Sequence, residues 1–515
     1  MNLTYKPKER RVVPNWRYYE TTLEAGELNN WKVVRPHEGI YSISDYEELW
    51  RNHHSLYRAG DLISAAITNG QEDNPIVKDA ASFVLDREEV STKALLRSAR
   101  KVLGVEEEKT LSKIEIQRLK ECTAIEDIRR YIHILRHRLH LMPYNPFLYV
   151  DLSRAYLLIG QNEKAKEAML KALHFGATDR FVARSAARFF LHEQDRDRAY
   201  EVIRAQGAVA SDPWLMAAEI SINMLRGKTS NYIQKGRDII DSGNCNPFGF
   251  TELASSIGTL ELSAGSNRRS NKLFKKALIS PNDNSLAQVQ WANSFEPLSL
   301  NININTPVRN DYEVRTFEAI NSGDKDGARH EAVSWICDMP FAHKPINMGY
   351  TICINLLQDY ELASAILDVG LRSDETSPFL LNNKAYCAAR AGQIDAANEA
   401  FSKLSRSNRL DESSSWQVCI PATEGLIHYR NKDLKVGSDK YQEAIRIAKQ
   451  FADTSNGDQL YKKAVLNYCR ERLIARDGVA EQVLAEAMAL SIGKEEGELT
   501  ILYDEIIKEY NQIER

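Results

Sequence analysis

The chain has 515 residues, more than one ordinary core organises, so it is either several globular domains or a repeat array that lengthens its core by stacking. Proline is scarce at 15 and glycine modest at 25, while apolar and charged residues recur at short intervals, which excludes disorder and suits amphipathic helices. A net charge of −4, from 67 basic and 71 acidic side chains, excludes a global attraction to nucleic acid or an anionic membrane.

Residues 1–40 read as an arm. Pro7, Pro14 and Pro36 punctuate it, and Trp16, Tyr18, Tyr19 and Trp31 interleave with Lys6, Lys8, Arg10, Arg11 and Arg17. Cations among aromatics can stack bases and contact phosphates, but seven Lys/Arg against four Glu in residues 1–35 make a slight footprint. The reading preferred over nucleic acid is an arm that folds back and plugs the first helices with Trp16 and Trp31.

Residues 41–145 read as a helical N-terminal region. Ser44 and Glu47 form a capping-box pattern opening a run through Leu49, Trp50, Leu56 and Tyr57. A turn is expected at Ala59-Gly60, a second helix through Leu62, Ile63, Ala66 and Ile67, and another start at Asn74-Pro75. Ile128, Tyr131, Ile132, Leu135, Leu139 and Met142 then recur at three- and four-residue spacing until Pro143. His133, His137 and His140 share that helix at metal-competent spacing. The intervening Arg136 and Arg138 and the lack of a nearby cysteine favour histidines that merely flank a buried face, so no metal or other cofactor is expected.

From residue 146 the pattern becomes periodic. Tyr149, Leu152, Ser153, Tyr156, Gly160, Ala165, Met169 and Ala172 alternate large, small and turn residues, and 34 residues on from Ala165 stands Ala199, preceded by Ala186, Ala187 and Phe190. A third unit opens at Trp214 with Ala217 and Ala218, its second helix displaced by an insertion at Gly227 to Asn231. A fourth holds Ile257, Gly258, Gly265, Ser270, Phe274 and Ala277. The period breaks at LSLNININTPVRND (residues 296–311 overall), whose alternation suits either a strand added to a partner or, preferred here, a linker lying on the solenoid. It resumes with Ala328, Ala363 and Ala397. Gly425, Gly437, Tyr441 and Ala444 suggest a looser unit, and residues 451–515 a capping pair.

These positions resemble the tetratricopeptide repeat over residues 145–450. The resemblance implies an all-α, α-α superhelical solenoid in two blocks, 146–295 and 312–450. Its family pattern places Arg154, Arg184, Arg188 and His192, with Phe147, Leu158 and Phe181, on the concave face of the first block, and Asn382, Asn383, Tyr386 and Arg390 on that of the second. Guanidinium groups suit an acidic, partly apolar peptide, and the later set suits an extended backbone. The set departs from the lysine-and-asparagine clamp of chaperone-binding members, so chaperone binding is not implied.

No phosphate loop, dinucleotide fingerprint, nucleophile elbow or H-E-x-x-H motif occurs. The function expected is a non-catalytic scaffold or adaptor for a protein or peptide partner. The alternative is a sensing or regulatory subunit of a bacterial defence or stress system with a separate effector, and a nucleic-acid role through the arm ranks last. The seven scattered cysteines form no C-x-x-C pair and suggest reduced thiols in a cytosol rather than a disulfide framework. With no stretch of about 18 apolar residues and no signal-peptide core, the expected place is the cytoplasm.

Overall fold

A computed structural model describes residues 9–19, 43–87, 90–104, 108–242, 245–295, 298, 300, 308–407, 414–492 and 497–514. The chain divides into two compact units, one of residues 24–117 and one of residues 1–23 with 118–515. The smaller unit holds helices α1 (Ile43–Asn52), α2 (Leu56–Asn69), α3 (Pro75–Leu85), α4 (Lys93–Leu103) and the start of α5 (Glu108–Cys122). Its core is Trp50, Leu62, Ile63, Val77, Ala80 and Val84, with the Trp50 indole N–H donating to Asp79 at 3.0 Å. As expected, Asn74 caps α3 with Pro75 in its first turn. The turn expected at Ala59-Gly60 is corrected: α2 runs through both residues, and the break falls at His53–Ser55, where the Ser55 hydroxyl accepts from Arg58 N. A Cβ on Gly60 would stand 3.4 Å from Leu95, ordinary van der Waals contact, so packing does not demand a glycine there.

The larger unit begins its repeats after α6 (Ile125–Leu141). The first block comprises α7 (Pro146–Leu158), α8 (Asn162–Phe175), α9 (Arg180–His192), α10 (Arg196–Arg204), α11 (Pro213–Leu225), α12 (Ile233–Ser242), α13 (Pro247–Ser263), α14 (Asn267–Ala277) and α15 (Asp283–Phe295). The second comprises α16 (Tyr312–Ser322), α17 (Lys325–Asp338), α18 (His343–Ile352), α19 (Tyr360–Ser373), α20 (Pro378–Arg390), α21 (Ile394–Ser405), α22 (Ser414–Arg430) and α23 (Leu434–Lys449). After it come α24 (Ser455–Ala475), α25 (Ala480–Met488) and α26 (Gly497–Glu514).

Local chemistry sets these boundaries. Asn145, Asp179, Asp212, Asn246, Asp324 and Asp359 each accept a backbone N–H of the first turn, satisfying donors that have no intrahelical partner. Glycines with positive φ, among them Gly160 and Gly392, make the sharp turns between paired helices. Ala165, Ala199, Ala328, Ala363 and Ala397 are all fully buried, because only a small side chain lets paired helices approach there.

The second block returns beside the first. A Cβ on Gly160 would meet the Arg372 carbonyl at 2.7 Å, Arg372 donates to the Thr123 carbonyl at 2.5 Å, and Arg118 donates to Ser334 at 2.7 Å. Cys122 and Cys337, 215 residues apart, are joined by a disulfide with Cα atoms 5.7 Å apart. This corrects the expectation of thiols that are all reduced: scattered positions in sequence become neighbours when a superhelix closes. Leu298 and Leu300 are buried against the first block's Phe274 and Trp291. The remainder of the alternating segment, residues 296, 297, 299 and 301–307, lies outside the described residues, as does Trp31. Among the described residues there is no strand, and no helix is long and apolar enough to cross a membrane.

Candidate partner-binding surfaces

The interior of the first block is filled by the chain's own residues 9–19. Alternate side chains Arg10, Val12, Pro14 and Trp16 are buried. Trp16 packs edge-on against Phe189 of α9 and Phe341, at centroid distances of 5.8 and 5.2 Å. Tyr19 stacks on Phe147 of α7 at 4.1 Å, and its N–H donates to Asp151 at 2.7 Å. Arg10 reaches Glu313 and Gln288, each at 2.8 Å. Arg17 bridges Asp338 and Asp283 at 2.6 and 2.7 Å. Burial pushes the Glu313 carboxyl up, but Arg10 and Lys344 outweigh it and hold its pKa at about 2.

This arm changes the standing of the first predicted set. Arg154 is 4% exposed, donates to the carbonyls of Trp16 and Asp338 at 3.3 and 2.8 Å, and lies 4.1 Å over the Tyr18 ring. Arg184 donates to the Trp214 carbonyl at 2.8 Å and pairs with buried Glu252 at 2.7 Å. The expectation that these two arginines face an open groove is corrected: the arm and the neighbouring repeat use the donors that an acidic peptide was expected to use. Arg188 and His192, one turn apart on α9, are half-buried around Phe341, at 5.7 and 6.0 Å from its ring centre.

The second predicted set does border an open cleft, of about 120 Å³. On α20, Asn382 accepts from Thr423 at 2.9 Å, while Asn383 and Tyr386 are half-buried. Arg390 backs the cleft, pairing with Glu505 at 3.1 Å and covering the Tyr360 ring at 4.2 Å. A π-helical turn, Cys353–Leu357, follows α18 and brings Ile354 and Asn355 to the lining.

Sequence reasoning missed the opposite wall. Lys463 and Asn467 of α24 and Glu498, Ile501, Leu502 and Glu505 of α26 line the same cleft. The tail read as a capping pair turns a polar-apolar face toward the cleft, with Glu505 accepting also from Tyr360 at 3.1 Å and Arg470 at 3.3 Å. Leu499, Leu502 and Ile506 at helical spacing are the signal that could have shown a buried face. The charges are closed among themselves: Lys463 pairs with Glu498, and Arg390 and Arg470 with Glu505. Two amide atoms are not satisfied. Asn383 Nδ2 and Asn467 Oδ1 are buried and have no hydrogen-bond partner among the described residues.

His133, His137 and His140 are exposed on α6, and among the described residues no trio of His, Cys, Asp or Glu is placed to hold a metal ion.

No protein-family model matches the sequence, and no curated protein matches it. The chain is similar to solved structures that include yeast Tom70, at 13% identity over 78% of this chain and 97% of that one with a TM-score of 0.26. Others are the Cut9–Hcn1 hetero-tetramer of the APC/C, at 13% over 90% and 92% with a TM-score of 0.30, and the human IFIT1 dimer with PPP-AAAA, at 12% over 91% and 94% with 0.31. The fold rests on the helix pairs themselves, their buried alanine register and their glycine turns: the chain is an all-α, tetratricopeptide-like superhelical solenoid.

Proposed function

We propose that the chain is a non-catalytic protein-interaction scaffold that holds an extended, uncharged segment of a partner in the cleft between α20, α24 and α26. The observation that carries this reading is the unsatisfied pair on the cleft's walls, an Asn383 donor and an Asn467 acceptor. Leaving such groups buried and unpaired costs about 1–3 kcal/mol each, and a peptide group offers both a carbonyl and an N–H. The cleft's ion pairs are mutually neutralised, so a charged segment gains no unpaired counter-ion there. The first block supports the same reading in another way: it already holds an extended segment, the chain's own residues 9–19, by alternate side chains and by arginine contacts to its backbone.

The test is a random-peptide display selection on the full chain. Enriched peptides should be uncharged and apolar at their centre, and the Asn383→Ala, Asn467→Ala double variant should weaken them about tenfold or more. Enrichment of acidic peptides, or unchanged affinity in the double variant, overturns the assignment.

A further inference from the structure

The interior of the first block contains a cation for which the described residues provide no anion. Arg10 is matched by Glu313, Arg17 by Asp283 and Asp338, Arg184 by Glu252, and Lys344 by Glu313. Arg154 is held by two carbonyls. Arg188 has no hydrogen-bond or ion-pair partner among the described residues, only the Phe341 ring 5.7 Å from its Cζ. Protein surrounds its guanidinium, and burial alone pulls its pKa down to about 10, so at neutral pH it remains a charge without compensation.

Two polar atoms beside it have no hydrogen-bond partner among the described residues. His192, four residues on along α9, has a buried Nδ1 without a partner, and the buried Trp16 Nε1 is likewise unpartnered. All three side chains pack around Phe341, with Trp16 at 5.2 Å and His192 at 6.0 Å between ring centres. Burial, with help from His343 and Arg188 and against Asp374 and a hydrogen bond to the Ser373 backbone, lowers the His192 pKa to about 4, so this ring is neutral at pH 7. With its Nε2 hydrogen-bonded to the Ser373 backbone, the Nδ1 of the neutral ring is an acceptor. Folded proteins seldom leave polar atoms buried and unsatisfied, and the Trp16 indole N–H beside the unpaired Arg188 guanidinium marks a place where an acceptor is missing among the described residues.

We propose that Arg188, beside Trp16 and His192, forms the seat of a single anionic group, a carboxylate or a phosphate, on a ligand that enters the interior of the first block. Arg188 and His192 are both half-buried. A planar guanidinium matches either group with two hydrogen bonds. This site is separate from the cleft of the second block, and its success or failure does not touch that reading.

The experiment uses the full chain and two probes at constant ionic strength, inorganic phosphate and acetate, with chloride as the reference. Thermal midpoint and calorimetric titration are measured for wild type, Arg188→Met and Arg188→Lys. Wild type should bind one of the two probes, which identifies the phosphate or the carboxylate source. Arg188→Met should lose about ten- to a hundredfold in affinity while folding at least as stably as wild type, since it removes an uncompensated charge, and Arg188→Lys should retain part of the binding. No probe-specific response in wild type, equal responses in wild type and Arg188→Met, or a strongly destabilised Arg188→Met with normal binding would each overturn the proposal.

Discussion

At the scale of single residues, position on a repeat face does not decide what a side chain does. Arg154 and Arg188 stand 34 residues apart at the same position of successive repeats, with Arg184 one turn before Arg188, yet Arg154 is held by carbonyls and Arg184 by Glu252, while Arg188 has no such partner among the described residues. The sequence shows the face but not the occupant, because the occupant comes from residues 9–19 and from the adjacent repeat. His192 gives a testable pH signature. Its folded pKa is about 4 against 6.5 for a free imidazole side chain, so between these values the unfolded chain binds a proton that the folded chain refuses. Stability from this group is complete above about pH 6.5 and is lost as pH falls toward 4, by up to about 3 kcal/mol. Urea unfolding of wild type and His192→Gln at pH 7 and pH 4.5 checks it. The variant should lose less on acidification, and identical losses would remove His192 as the source.

At the scale of elements, the alanine register was legible over both blocks because stacking imposes a small residue at one crossing per repeat, and that demand repeats in the sequence. The looser unit at Gly425 and Gly437 obeys the same rule in a tighter form. A Cβ on Gly437 would stand 2.6 Å from the Tyr429 ring and 3.1 Å from the Gly425 carbonyl oxygen. Tyr429 cannot swing away freely, since its hydroxyl donates to Asp477 at 2.6 Å. Gly437→Ala should therefore cost about 1–3 kcal/mol through overpacking, which exceeds the roughly 1 kcal/mol that alanine gains in helix propensity. A higher urea midpoint for that variant would show that the crossing has room. What the sequence hid at this scale was the arm and the inward face of α26. Arg10 meets Glu313 across 303 positions and Arg390 meets Glu505 across 115, and no local periodicity encodes such pairs.

At the scale of the molecule, the larger unit is a superhelix closed by Cys122–Cys337, Arg118–Ser334 and Arg372–Thr123. Cysteine spacing alone could not show the bridge, because its partners become neighbours only after a full set of repeats has turned back. A covalent link across 215 residues restricts the unfolded chain strongly, and native bridges typically contribute about 2–5 kcal/mol. Cys337→Ser, or reduction of the wild type, should lower the urea midpoint correspondingly, and peptide mapping without reductant should recover Cys122 linked to Cys337. An unchanged midpoint on reduction would leave closure to the hydrogen bonds.

The arm also sets an order of events in time. Residues 9–19 leave the ribosome well before their partners, for Trp16 docks against Phe341 and Arg17 against Asp338, which are made more than half of this sequence later. At usual synthesis rates that gap is roughly 15–65 s. Through that interval the arm has only its first-block contacts, Phe147 and Phe189 among them, so any factor that meets the nascent chain meets Trp16 and Arg17 before Phe341 and Asp338 are there to cover them.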